Sequence, residues 1–496
     1  MSRTALVTGA SGYVGAQLVP QLLAQGWDVR VLARTPDRLP AAWRDRVGVV
    51  EGDLGDRAAL ADALRDVEVA WYLVHSMDGK GGYAERDRRL AEGFAAAARE
   101  AGVGRLIYLS GLHPRDARLS EHLGSRVEVG EILLASGVPT AVLQAGVVLG
   151  AGSASFQMLR HLTERLPLAF GPRWLRNRIQ PIAIDDVVFY LVRAADLPPD
   201  VNRTFDVGMP EVLTYAAMMK RYARATGLKP RHMGAVPVLT PGLASHWVGL
   251  VTPVPSGVAK PLVGSLINDA VAHEDDARTV LGVPEGGLTS YDDAVRAAAT
   301  TYDPKRWGRT ATRVGAGVLA CAVAGSVLTT PDSPWYRALR KPAWQPPAAA
   351  FPIVWTALYG TVWAAGSSAI CELAESDAPG QGPEAAPRLG RALAVNLALN
   401  TAWSGLFFRA HTLRTAAVGA GLLAASSADL ARRAAPTGAG KAAGFGAYAA
   451  WCAFATALTA EVARLNPPLR PGSRALPRSV PRLVSRAGAF WRGKSR

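Results

Sequence analysis

From Thr4 to Ala145, short apolar or β-branched runs at 5–8, 29–33, 47–50, 69–74, 106–110 and 140–143 alternate with longer stretches of helical period. The alternation therefore predicts βαβ units wound about a parallel sheet. Beyond Gly150 the pattern loosens as far as Thr301, with a strand-like stretch at 180–184, a helix opening at Asp185 and Asp186, and another opening at 289–292. A smaller lobe closing over the sheet is the expected result. Residues 236–267 are apolar over a length that can cross a bilayer, but Pro237, Pro241, Pro253, Pro255 and Pro261 would break a helix repeatedly, which favours a buried lid or groove.

After Arg309 the character changes. Residues 310–330, 351–373, 392–408, 415–431 and 442–463 are apolar, rich in small side chains and nearly uncharged, and each is long enough to span a bilayer. The expected organisation is a doubly wound α/β unit at 1–150, its smaller lobe at 151–303, a linker at 304–311, an all-α bundle of five transmembrane helices at 312–467, and a tail at 468–496 that is disordered or lies on the membrane surface.

The net charge of +15 changes the picture only at one end: from Arg464 to Arg496 there are nine Lys or Arg and no Asp or Glu. A basic tail next to apolar helices points to an acidic membrane surface rather than to nucleic acid, so no nucleic-acid partner is expected. Cys321, Cys371 and Cys452 fall in apolar stretches without CxxC or Cys/His spacing, which suggests buried thiols and neither a disulfide framework nor a metal site. The N-terminus runs straight into a strand and shows no signal-peptide pattern. The first unit is therefore expected in the cytoplasm, and the whole as an integral protein of the cell membrane. Five spans would then put the basic tail outside, against the positive-inside tendency.

The segment Ala5-Leu-Val-Thr-Gly-Ala-Ser-Gly-Tyr-Val-Gly15 sets Gly9, Gly12 and Gly15 between an expected strand and an expected helix, with Ser11, Tyr13 and Val14 among them. In that context a glycine triplet makes a tight turn, lets the backbone approach a pyrophosphate and lets the helix pack close, with the phosphate at the helix N-terminus. Arg34 ends the second strand where an NAD-selective site would carry an acid. It suits a 2′-phosphate, so NADP(H) is favoured over NAD(H), with a merely solvated arginine as the alternative. Asp53, before Leu54, follows the third strand and can accept from an adenine amino group.

With Trp71-Tyr-Leu-Val-His-Ser-Met77, Leu106-Ile-Tyr-Leu-Ser-Gly111 and Gln180-Pro-Ile-Ala-Ile-Asp-Asp-Val187, this loop resembles the atypical, extended short-chain dehydrogenase/reductase (SDR) superfamily, specifically its NmrA-like NAD(P)H-binding proteins, over about residues 4–299. The resemblance implies a Rossmann fold, Leu73, Val74 and His75 flanking the cofactor, Ala145 near the carboxamide, and Ser110 where the superfamily polarises a carbonyl. Reductases of this superfamily use Tyr-x-x-x-Lys, and this chain has no such pair. His122-Leu-Gly-Ser-Arg126 keeps the spacing with His for Tyr and Arg for Lys. Histidine can be a general acid near neutrality and Arg126 can bind ribose hydroxyls, although arginine cannot shuttle a proton. His122 as an exposed helix residue without a role is the plain alternative.

Further on, Trp335-Tyr-Arg-Ala-Leu-Arg-Lys-Pro-Ala-Trp-Gln-Pro-Pro347, Phe351-Pro-Ile-Val-Trp-Thr-Ala-Leu-Tyr359, Asn400-Thr-Ala-Trp-Ser-Gly-Leu-Phe-Phe408, Tyr448-Ala-Ala-Trp451 and Leu465-Asn-Pro467 resemble the TspO/MBR (tryptophan-rich sensory protein) family. That resemblance implies a five-helix membrane bundle binding tetrapyrroles or other hydrophobic molecules. Independently, Asn396, Asn400, Trp403 and Phe407 recur at helical spacing, and amides facing lipid tails are unfavourable, so that face should look inward. Trp344, Trp355, Tyr359, Tyr448 and Trp451 would complete a lining, or else serve as packing and interfacial belt. The bundle also offers a surface for a homodimer. Asn396, Ala447 and Thr459 depart from the family pattern, which affects ligand preference. Two functions stay open: a membrane-tethered reductase of a hydrophobic substrate, and a non-catalytic NADPH sensor coupled to a ligand-binding bundle.

Overall fold

The computed structural model describes residues 3–75, 82–115, 119–171, 173–235, 252–376 and 384–467. Met77, residues 236–251 of the proline-rich run, and the tail from 468 lie outside the described residues.

The apolar runs of the first third form strands β1 (Thr4–Thr8), β2 (Asp28–Ala33), β3 (Gly48–Glu51), β4 (Val69–Tyr72), β5 (Arg105–Gly111), β6 (Thr140–Ala145) and β7 (Arg203–Val207). They pair in the order β7-β6-β5-β4-β1-β2-β3, every pair parallel. Helices cover both faces: α1 (Tyr13–Ala24) on one, and α2 (Tyr83–Glu100) and α3 (Glu121–Leu134) on the other. Double cover explains why neighbouring strand positions are both apolar, since Val7, Trp71, Ile107 and Leu143 point to one core and Leu6, Tyr72, Tyr108 and Val142 to the other. The strand order reverses between β1 and β4, and the crevice beyond their carboxyl ends is where doubly wound sheets take ligands.

The smaller lobe has its own core, built on α4 (Ala154–Arg165) and the helices Tyr215–Ala225, Ser256–Ser265 and Tyr291–Ala299. Two expectations need correction here. Residues 180–184 are not one strand: only Ile182–Ala183 pairs with Val148–Leu149, and α5 (Ile184–Arg193) has already begun. Pro181 removes a ladder donor, while Asp185 and Asp186 favour the first turn of a helix. Pro261 does not break its segment either, because it lies inside the helix Ser256–Ser265.

Among the described residues beyond the lobe, five long helices follow: α6 (Arg306–Leu328), α7 (Ala350–Ala374), α8 (Ala385–Phe408), α9 (Leu413–Ala434) and α10 (Ala439–Leu465). α6 begins at Arg306, so most of the expected linker is helical. α6 and α10 are long and apolar enough to cross a membrane. The bundle core, with Val362, Leu389, Leu430 and Phe445, is separate from the lobe core.

The two parts meet through charges. Arg160 of α4 reaches both Glu164 and, across the junction, Glu375, while Arg165 and Lys441 share Glu372 at the end of α7. Arg306 Nη1 donates to the Ala374 carbonyl at 3.0 Å, closing the same end of α7.

Candidate nucleotide and catalytic site

The glycine loop is shaped by close approaches that exclude a side chain. Gly9 has φ of +71°, and a Cβ there would stand 2.6 Å from the Leu73 carbonyl oxygen; one on Gly15 would stand 2.5 Å from the Gly9 oxygen. Thr8 Oγ1 donates to the Trp71 carbonyl at 3.1 Å and accepts from the Leu73 amide at 3.3 Å, tying β1 to the end of β4 at the switch point. Helix α1 has Gly12 as its N-cap, with no side-chain cap and no acidic residue in its first turn, which leaves its N–H end and dipole available to an anion. Tyr13 is held from outside by the glycines of the 150–152 turn, where a Cβ on Gly152 would meet its ring at 2.4 Å. These features fit a dinucleotide pyrophosphate.

At the rim, the Arg34 side chain is 79% exposed and stands 3.7 Å from Asp53 Oδ2, while Asp53 Oδ1 accepts from the Gly55 amide at 3.0 Å. A guanidinium so loosely engaged keeps most of its donors for a ligand. Leu54 and Ala145 are buried, and Leu73, Val74 and Val14 pack against the two cores from the cleft side. Ser11 is exposed on the loop.

Helix α3 is capped by the Ser120 hydroxyl and carries His122 and Arg126 one turn apart. His122 is 5% exposed, so the reading of it as an exposed helix residue is corrected. Its Nδ1 lies 3.2 Å from His75 Nε2, and His75 Nδ1 in turn lies 3.4 Å from Asp87 Oδ2. The Ser125 hydroxyl donates to the same carboxylate oxygen at 3.4 Å. Arg126 Nη2 donates to the Leu109 carbonyl at 2.7 Å, and its Nε is buried with no hydrogen-bond partner, an orphan donor that a ribose hydroxyl would satisfy. Ser110 does not join this group directly: its hydroxyl donates to the Arg126 carbonyl at 3.3 Å.

Burial, the His75 ring and the Arg126 charge together hold the His122 imidazole down at about 3. Burial also lowers His75, opposed in part by Asp87. At neutral pH both rings are uncharged, and a neutral imidazole acts as a hydrogen-bond donor at one nitrogen and an acceptor at the other.

Asp87 was missed by sequence reasoning, yet a signal was there. With Ala91, Phe94, Ala95 and Ala98 it occupies the buried stripe of amphipathic α2. A carboxylate on such a stripe requires a polar partner.

In the bundle, Asn400 Nδ2 donates to Tyr448 Oη at 3.0 Å and its Oδ1 accepts from Tyr359 Oη at 3.2 Å, with Trp355 against both tyrosine rings. Asn396 donates to Ser426 and Ser427 of α9 and leaves its Oδ1 buried and unmatched. The remaining aromatics do not share one lining. Trp403 packs with Phe407, while Trp451 sits by Phe351 and Phe454, and half-exposed Trp344 touches Phe454 from outside. A groove of about 1210 Å³ runs instead between α6 and α8, past Gly317, Cys321, Gly390 and Leu397. Small residues such as Ala320, Gly390 and Ala394 make that opening, and they carry no aromatic spacing in the sequence.

Residues 9–141 match the NAD(P)H-binding family and residues 314–465 the TspO/MBR family. The chain is 30% identical over 269 residues to ceramide reductase of Caulobacter vibrioides, covering 51% of this chain and 81% of that protein. It is 30% identical over 230 residues to (4-alkanoyl-5-oxo-2,5-dihydrofuran-3-yl)methyl phosphate reductase of Streptomyces griseus, covering 45% and 73%. Protein CrtK of Rhodobacter capsulatus is 37% identical over 95 residues, 19% of this chain and 54% of that protein. The chain belongs to the SDR-like NAD(P)H-binding reductases through its N-terminal part, and its C-terminal part is similar to the TspO/MBR family over residues 314–465.

Proposed function

We propose that the protein is a membrane-anchored, NADPH-dependent reductase of a carbonyl carried on a lipid-like molecule. The observation that carries this reading is the continuity from the glycine loop to His122: Gly9 abuts Leu73, and His75, two residues on, bonds His122 one turn before the orphaned Arg126 Nε. The dinucleotide, when bound, supplies a hydride. The α1 N-terminus would hold its pyrophosphate, Arg34 the 2′-phosphate that selects NADP(H), and Arg126 the nicotinamide ribose. His122 Nε2, which makes no hydrogen bond among the described residues, would polarise the substrate oxygen and hand it a proton.

Two relatives that are named reductases, one of ceramide and one of an alkanoyl compound, support a long-chain carbonyl as the substrate. The fused TspO/MBR part and its apolar groove support a substrate taken from the bilayer, with five helices in the cell membrane and the reductase unit in the cytoplasm. The Trp355, Tyr359, Asn400 and Tyr448 group supports binding of a flat hydrophobic ligand such as a tetrapyrrole within the bundle. The test is NADPH oxidation by the full-length protein in lipid nanodiscs against long-chain ketones, beside NADPH binding. Binding without turnover of any ketone would favour the sensor reading instead.

A further inference from the structure

We infer that Asp87, His75 and His122 form a proton relay that loads His122 from behind and delivers one proton to the substrate oxygen through His122 Nε2. The inference rests on the reductase reading. It begins from the two contacts, 3.4 Å from Asp87 to His75 Nδ1 and 3.2 Å from His75 Nε2 to His122 Nδ1, in a row whose side chains are almost wholly enclosed.

A contact between two imidazole nitrogens holds one proton, so one ring donates and the other accepts. With the Asp87 carboxylate accepting from His75 Nδ1–H, neutral His75 has a lone pair on Nε2. His122 must then donate through Nδ1–H, and its Nε2 faces the substrate as a lone pair. This state takes a proton from an alcohol. Adding one proton to the row reverses the central bond: His75 carries N–H on both nitrogens against the Asp87 carboxylate, His122 accepts at Nδ1, and Nε2–H faces the substrate.

Reduction discharges that second state. The dinucleotide, when bound, would supply the hydride for the new C–H bond, and the carbonyl π pair would move onto oxygen. The His122 Nε2 proton passes to that oxygen, and the His75 Nε2 proton passes to His122 Nδ1. The products are the alcohol, NADP⁺ and the row one proton poorer, which solvent restores. One proton and one hydride are consumed, and Asp87 stays a carboxylate that holds the orientation of His75, as in other acid–histidine pairs.

The neighbours of the row set its pH range. Arg126 on α3 disfavours the added proton at both rings, and Asp87 on α2 favours it. Tyr108 on β5 and Tyr72 on β4 are buried and raised, so they stay neutral, and Glu121 engages Tyr83 at the outer edge. Burial places the loaded state on the acid side of the ordinary histidine range. Carbonyl reduction should therefore fall as pH rises through that range, and alcohol oxidation should rise. Sequence spacing could suggest His122 as the donor but not this row, since the three residues come from three separate elements.

The test uses the full-length protein with His75→Gln, Asp87→Asn and, as a conservative return, Asp87→Glu. The relay predicts that NADPH affinity and KM change by no more than about twofold, while single-turnover hydride transfer falls by about a hundredfold in the first two variants. Their pH profiles should flatten, and free imidazole should restore part of the rate to His75→Gly. A full rate with an unchanged profile in His75→Gln or Asp87→Asn overturns the relay and leaves the reductase reading standing. A second measurement needs no substrate: ring-nitrogen NMR of the NADPH-bound protein should show His75 and His122 titrating together, both moved by Asp87→Asn. Independent titration of the two rings overturns the relay whether or not turnover is found.

Discussion

Arg160 Nη2 lies 2.7 Å from both carboxylate oxygens of Glu375, joining the lobe to the end of a bundle helix through an arginine that is only 3% exposed. The Arg160 guanidinium also lies 3.5 Å over the Tyr302 ring and 3.0 Å from Glu164. Removing one partner leaves charge poorly compensated in a dry place. Glu375→Ala should therefore destabilise the junction by about 3 kcal/mol. A lower melting temperature, with earlier proteolytic separation of the two parts, is the expected result; an unchanged melt would mean the contact does not couple them.

Acid should weaken the reductase unit through His122. Its folded-state value of about 3 lies below the ordinary 6.5, so the unfolded chain takes up the proton first. Stability from this group is complete above about pH 6.5 and is lost as pH falls toward 3. The loss is on the order of a few kcal/mol. His122→Phe should flatten this part of the stability profile, as read by chemical denaturation at several pH values. A profile as steep as that of the unchanged protein would contradict the burial argument.

Cofactor choice is tested at Arg34. Arg34→Glu should weaken NADPH binding by at least tenfold and leave NADH binding within about threefold, because a charge-assisted pair with a 2′-phosphate has no counterpart in a hydroxyl. Equal losses for the two cofactors, measured by titration, would remove Arg34 from that role.

The bundle site is tested at Tyr448. Tyr448→Phe removes the acceptor of Asn400 Nδ2, a buried group, and should cost about 1–3 kcal/mol of stability and lower protoporphyrin affinity. Trp344→Leu, on the outside, should leave the affinity unchanged. Tryptophan quenching on titration separates these outcomes, and equal affinity in both variants would place the ligand elsewhere.

The parallel sheet was legible because short, mostly apolar strands alternate with stretches of helical period, and the glycine loop because Gly9 and Gly15 have no room for a Cβ. Legibility failed where a role depends on contacts between elements. His122 has helical neighbours that say nothing of depth, and its burial comes from packing against His75. The Asn face was readable as inward because amides need partners, whereas Trp403 and Trp451 each fit a stacked packing role that periodicity cannot tell from a ligand contact. The charge cluster at the junction could not be foreseen, since Arg160 and Glu375 are brought together only when the lobe meets the bundle.

Reduction through His122 is tested by a single-turnover measurement of NADPH oxidation with a long-chain ketone, in the unchanged protein and in His122→Phe. Protonation by His122 requires one alcohol formed per NADPH consumed, and a rate lower by about two to four orders of magnitude in the variant while NADPH still binds. An equal rate in both proteins, or no ketone reduced by protein that binds NADPH, would contradict it.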